Sequence, residues 1–222
     1  MTPITDILQS HFKVASFDMD GTLIKGTTSN LFYAKLLNVE DKVIQLENEL
    51  KAGRIDSNIF MVSVSEIMDK LTVDYIKEHF DLLPIVDGIA ETVNTLKEAG
   101  IKPIIVTTSN ILFAECFKEK YGFDEVFGTV HEVLKDGTVG IGTTVCSSKH
   151  KIEHVQSIVE SLGGNMEDVF AVGDSFSDVP LFEKVGFSVA FNHDETLEGK
   201  ADLYVKSNTI YSVMEAIAEY FT

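Results

Sequence analysis

Short apolar runs at 14–17, 104–106, 169–172, 187–191 and 203–205 recur along this chain, each closed by polar or turn-forming residues. Runs this brief and this continuous read as strands buried on both faces. Between them lie segments of helical period, such as 89–99, which stops at Gly100, and 152–162, which stops at Gly163 and Gly164. Glycine there supplies the left-handed residue that ends a helix. Strands alternating with helices predict an α/β fold, a Rossmann-like parallel sheet with helices on both faces.

One stretch breaks the alternation. Residues 24–83 have helical character and no convincing strand, with candidate helices over 30–37, 40–51, 57–71 and 73–80. The expected organisation is a discontinuous core, 1–24 and 85–222, with a small helical cap of residues 25–84 inserted after the first strand. Lys135-Asp136-Gly137-Thr138 carries the Asp-Gly turn of a hairpin.

The chain's 222 residues can bury a substantial core, and 45% hydrophobic with 24% charged residues is ordinary globular composition. A net charge of −17 opposes binding to nucleic acid or to an anionic membrane surface. An anionic ligand would therefore need local cations. Cys116 and Cys146 are too few for a disulfide scaffold. The start of the chain lacks a basic n-region and a long apolar segment, and no run is long enough to span a bilayer. The expectation is a cytoplasmic protein, monomeric or homodimeric.

Phe17-Asp18-Met19-Asp20-Gly21-Thr22 places two carboxylates at i and i+2 just behind the first buried strand. Extended geometry can aim both to one side, at the end of the sheet where ligands of open α/β folds bind. Two ionised carboxylates so close repel, so one holds a proton or a cation sits between them. That division of labour suits phosphoryl transfer: an ionised Asp18 attacks phosphorus while a protonated Asp20 donates to the leaving oxygen.

The motif resembles the first signature of the haloacid dehalogenase-like (HAD) phosphatase superfamily, whose first Asp is the nucleophile, and the second Asp argues for phosphoryl transfer rather than dehalogenation. Three further stretches follow in that superfamily's order. Ile104-Ile105-Val106-Thr107 matches the second signature, which implies that the Thr107 hydroxyl and the Thr108 backbone N–H bind phosphate. Ser147-Ser148-Lys149-His150-Lys151 matches the third. Alignment with the family pattern favours Lys149 as the cation that neutralises phosphate, with Lys151 as its rival. Val172-Gly173-Asp174-Ser175-Phe176-Ser177-Asp178 matches the fourth. The resemblance implies Mg²⁺ held by Asp18, Asp174 and the backbone carbonyl of Asp20, with Asp178 supporting the site through hydrogen bonds; hard carboxylate oxygens suit that ion.

The helical insert makes the chain most similar to the phosphoserine phosphatase branch, and implies a small phosphorylated metabolite as substrate. Thr27 stands where that branch has an acidic residue for the substrate amine. Residues 60–63 contain no arginine for the carboxylate, and Arg54 is the chain's one arginine. Thr107-Thr108-Ser109 replaces Ser-Gly-Gly. The expected substrate is therefore different from phosphoserine, or broader, with Phe32, Tyr33, Phe60 and Met61 as candidate pocket walls. Alternatives are a phosphotransferase or phosphomutase using the same phosphoaspartate, a receiver-like module that accepts phosphate as a signal, and a binding protein that has kept the fold without activity.

Overall fold

The structure is a computed structural model describing residues 2–222. After helix α1 (Ile4–His11), strand β1 (Val14–Phe17) enters the centre of the sheet. The chain then makes the helical excursion α2 (Ser29–Leu36), α3 (Glu40–Lys51), α4 (Ser57–Ile67) and α5 (Val73–His79). Helix α6 (Ile89–Glu98) leads back to β2 (Lys102–Asn110), and α7 (Ile111–Tyr121) leads on to the hairpin β3 (Glu125–Val133) and β4 (Val139–Thr144). The second half of the sheet is built by α8 (Ser148–Ser161), β5 (Val169–Gly173), the short α9 (Val179–Phe182), β6 (Phe187–Phe191), β7 (Leu203–Val205) and α10 (Ser212–Tyr220).

The strands form one sheet in the order β4-β3-β2-β1-β5-β6-β7, parallel throughout except for β4, which runs antiparallel to β3 as the Asp-Gly hairpin requires. The core sheet matches the expected Rossmann-like arrangement. Alternate residues of each central strand feed opposite faces: Phe170 and Val172 of β5 join one apolar cluster, Val169 and Ala171 the other. Both faces are thus covered, which is why these strands read as unbroken apolar runs. Phe170 is wholly buried and meets Phe12 and Phe17 edge-on, with ring centroids 5.1 and 6.2 Å away.

Because β1 lies between β2 and β5, the chain reverses its direction of winding there. A crevice opens beyond the carboxyl ends of strands at such a point. The register pairs Phe17 with both Ile105 and Val172, so the residues just past β1, β2 and β5 arrive side by side.

The helical insert leaves and rejoins the sheet at one place. Ile24 bridges Ile85, and the Lys25 N–H donates to the Pro84 carbonyl at 2.9 Å. Tyr33 anchors the insert from within, stacked on Phe113 at 4.9 Å with its hydroxyl donating to the Ile76 carbonyl at 2.7 Å. At the far end the turn between α4 and α5 pairs with the hairpin: Val73 donates to Gly137 at 3.0 Å, and Val139 donates to Leu71 at 2.8 Å. Among the described residues no helix is long and apolar enough to cross a membrane, and both cysteines are free and buried.

Truncating the central aromatic tests this account of the core. Phe170→Ala is expected to lower unfolding free energy by about 3–5 kcal/mol, read from urea denaturation, through lost transfer energy and the cavity left behind.

Candidate active site

Asp18, Asp20, Thr107, Thr108 and Asp174 line one cavity of about 500 Å³ at the carboxyl end of the sheet. Asp18 continues β1, its N–H still donating to Val172 at 2.9 Å, and its side chain is buried. Asp174 follows β5. Gly21 stands against it with φ +87°, and a Cβ at Gly21 would collide with the Asp174 carboxylate. Only glycine gives the loop both that backbone conformation and that close approach.

The lysine that meets these carboxylates is Lys151, not Lys149. Lys151 is fully buried, and its ammonium donates to Asp18 Oδ1 at 2.6 Å and to Asp178 Oδ1 at 2.8 Å. Lys149 has a side chain 81% exposed and pairs with Glu153 one turn along the helix. Helical phase is the reason. The buried stripe of α8 runs through Lys151, Val155, Ile158 and Val159, with the i, i+4, i+7, i+8 spacing of a core-facing side, whereas Lys149 lies off that stripe. The period itself carried the signal that distinguishes the two lysines.

Asp178 is held by contacts on both carboxylate oxygens. Oδ1 takes the Lys151 ammonium, and Oδ2 accepts the N–H groups of Asp174 at 3.1 Å and Ser175 at 3.3 Å. It therefore fixes the loop that carries Asp174.

Asp20 is likewise fixed. Its Oδ1 accepts the N–H of Ser29, the first residue of α2, at 2.6 Å. Its Oδ2 accepts the hydroxyls of Ser29 at 3.1 Å and of Ser109. Ser109 stood out in the sequence only as a departure from the second signature and Ser29 not at all, since no spacing rule links either to the Asp-x-Asp motif. Thr107 is buried and accepts the Ser109 N–H at 3.1 Å, which leaves its hydroxyl proton to donate elsewhere. Thr108 is exposed on the cavity wall, its carbonyl accepting from Thr129.

The electrostatics are unbalanced. Burial drives the Asp18 carboxyl up to about 7, against the opposing pull of Lys151. Burial, then Asp18 and Asp178, drives Asp174 up to about 9. Asp20 is raised too, chiefly by burial, with its hydrogen bonds from Ser109 and Ser29 acting the other way. Lys151 loses by burial but is carried above the ordinary lysine value by Asp178 and Asp18. One buried ammonium is too little positive charge for this group.

The donor set fits a divalent cation. Asp18, Asp174 and Asp178 each offer an oxygen within 4.8 Å of the others. Since both oxygens of Asp178 are already engaged, Asp18 and Asp174 are the free donors. Asp174 Oδ1 is buried with no hydrogen-bond partner, an orphaned acceptor of the kind a cation satisfies.

The remaining candidates divide. Phe60 lines the cavity, whereas Tyr33 is core and Phe32 packs against the core. Thr27 lines the cavity, but Arg54 is absent from its walls and pairs with Glu49 at 2.6 Å. Glu47, which sequence reading missed on the polar-looking α3, also lines it and accepts the Thr28 hydroxyl at 2.8 Å.

The family model of the haloacid dehalogenase-like hydrolases matches residues 12–186. A phosphoserine phosphatase of Archaeoglobus fulgidus is 29% identical over 208 residues, 92% of this chain but 60% of that protein. One from Methanocaldococcus jannaschii is 26% identical over 207 residues, 92% of this chain and 97% of its own. Among solved structures, a HAD family hydrolase from Salmonella enterica serovar Typhi superposes with TM-score 0.84 at 18% identity, covering 94% of this chain and 73% of that one. A substrate-bound phosphoserine phosphatase superposes with TM-score 0.80 at 24% identity, covering 92% and 97%. At such identities the structural likeness speaks for the fold. The family model, by contrast, spans all the sequence from β1 through α9, and on that ground the chain belongs to the haloacid dehalogenase-like hydrolases.

Proposed function

We propose that the protein is a Mg²⁺-dependent phosphatase that hydrolyses a small phosphate monoester through a phosphoaspartate on Asp18. The observation that carries this reading is the pairing of two differently held carboxylates in one cavity: Asp18 bound by Lys151 beside the orphaned oxygen of Asp174, and Asp20 clamped by Ser29 and Ser109. In this reading residues 25–84 act as a cap over a core formed by 1–24 and 85–222.

Mg²⁺ would be held by Asp18, Asp174 and the Asp20 backbone carbonyl, and when bound it would supply positive charge to offset that of the phosphate and the carboxylates. An Asp18 oxygen attacks phosphorus, and the bond from phosphorus to the ester oxygen breaks. Asp20 gives its proton to that oxygen, so the alcohol leaves neutral. Asp20 then takes a proton from water, the water oxygen bonds to phosphorus, and the Asp18–phosphorus bond breaks to release phosphate. Burial pushes the Asp20 carboxyl above the ordinary value, against its hydrogen bonds from Ser109 and Ser29. The Thr107 hydroxyl and the Thr108 N–H bind phosphate oxygens, and Lys151 replaces Lys149 as the cation that orients and neutralises Asp18. Asp178 positions Lys151.

Three variants and one chelation experiment test these roles. Asp18→Asn abolishes phosphate release from a panel of phosphorylated metabolites, and chelating the divalent cation silences the unaltered protein; persistent turnover in either case contradicts the mechanism. Lys151→Ala leaves Asp18 and Asp178 buried without their partner and costs about 3–5 kcal/mol of stability along with activity, seen in urea unfolding and phosphate release. Lys149→Ala leaves both readings unchanged.

A further inference from the structure

We propose that the alcohol half of the substrate lodges in a second, uncharged chamber beside the phosphate cavity, where the Asn30 carboxamide selects a neutral leaving group that carries a hydrogen-bonding group. This names the substrate class of the site proposed above and rests on that phosphatase reading.

The chamber, about 70 Å³, lies between α4 and the β3–β4 hairpin. Asn30, Leu50, Phe60, Thr108 and Ser109 border both it and the phosphate cavity, so the two spaces share a wall beside Asp20's own partner Ser109. A leaving oxygen that receives the Asp20 proton is therefore next to this opening. Met61, Val64, His131 and Cys146 are among its other walls, and no Asp, Glu, Lys or Arg is. His131 turns Nδ1 to the Thr129 carbonyl at 3.3 Å, so Nδ1 carries the proton and Nε2 is left to accept; burial holds the ring below its ordinary value. Burial raises the Cys146 thiol to about 11. Every wall is neutral at neutral pH. A carboxylate or ammonium placed there would be desolvated without a partner.

Asn30 supplies the independent sign of a ligand. It is 8% exposed, yet its carboxamide hydrogen-bonds to no group among the described residues. It is not needed as a cap, because Thr28 accepts the Leu31 N–H at the start of α2. Asn30 lines both spaces, so its amide donor and acceptor are free of protein partners and open to the cavity, and a ligand that displaces the cavity water without pairing them would leave them unsatisfied. A hydroxyl or amide on the leaving group fits; a purely apolar group does not. The charged residues of the wider cavity offer a weaker alternative. Lys25 and Lys51 are exposed, where pairing contributes little, and Glu47 is already bound to Thr28.

The test compares kcat/KM of the Mg²⁺-supplied protein for glycerol 3-phosphate, n-propyl phosphate, phosphoserine, phosphoethanolamine and 3-phosphoglycerate, with acetyl phosphate as a substrate whose leaving group is small. The neutral hydroxylated ester is expected to exceed the apolar and the charged esters by about tenfold or more, and Asn30→Ala to bring the glycerol-to-propyl ratio close to unity, chiefly through KM. A preference for any charged ester, or an unchanged ratio in an Asn30→Ala protein with a normal melting curve, overturns the chamber. Should that variant not fold, the ranking by the unaltered protein decides alone. Acetyl phosphate separates the two levels of the argument: if it is hydrolysed while charged esters are preferred, only the chamber fails. If no ester is hydrolysed at all, the phosphatase reading falls and takes the chamber with it.

Discussion

The ammonium of Lys151, fully buried between Asp18 and Asp178, is the contact on which the rest of the site depends. It ties α8 to β1 and to the loop after β5, elements distant in sequence that only the sheet brings together. Asp178 passes the constraint on through two backbone N–H groups, which fix the residue that carries Asp174. A pair this deeply buried is a poor source of net stability, because desolvation offsets most of the attraction. Its value lies in geometry. With Lys151 in place, one oxygen of Asp18 is committed and the other is left toward the cavity.

The sheet was legible because its central strands are buried on both faces, which leaves no polar alternation to confuse with a helix. The insert was legible for the opposite reason, as a long interval of helical period where a parallel fold calls for a strand. The antiparallel β4 was announced only by its Asp-Gly turn. Within the cavity, Asp18, Asp20 and Asp174 could be read because each follows closely on the end of a strand, and Thr107 because it lies toward the carboxyl end of β2, where position in sequence translates into position in space. Lys149 was misread because motif alignment outranked helical phase, and phase decides which of two neighbouring lysines is buried. Ser29 and Asn30 could not be read at all, and Ser109 only as a departure from the family pattern, without its contact to Asp20. Their places beside Asp20 and at the cavity wall come from how the first turn of α2 lies against the end of β2, a tertiary fact with no local signature.

Ser109 shows how a departure from the family pattern takes on a use. A serine where the superfamily has glycine narrows the room for backbone to approach a ligand. Here its hydroxyl reaches Asp20 instead, and together with Ser29 it saturates that carboxylate. Side-chain bulk that narrows this wall of the cavity thus also immobilises the Asp20 carboxylate. The same residue borders the second chamber, so the hold on Asp20 and the wall between the two spaces meet at one position.

The charge imbalance links site to stability. Asp18 is carried from an ordinary 3.8 to about 7, chiefly by burial and against the pull of Lys151, and Asp174 to about 9 by burial and by its carboxylate neighbours, Asp18 first among them. Between those limits the folded chain holds protons that the unfolded chain has released, so without a cation the folded state loses stability as pH rises. Below the ordinary carboxyl value both states are protonated and the loss vanishes. A divalent ion bound to the ionised carboxylates removes the loss, because its binding then drives off the same protons. In a chain of net charge −17, holding these acidic groups together is costly, and a cation that relieves the cost locally also makes the cavity hospitable to an anionic ligand.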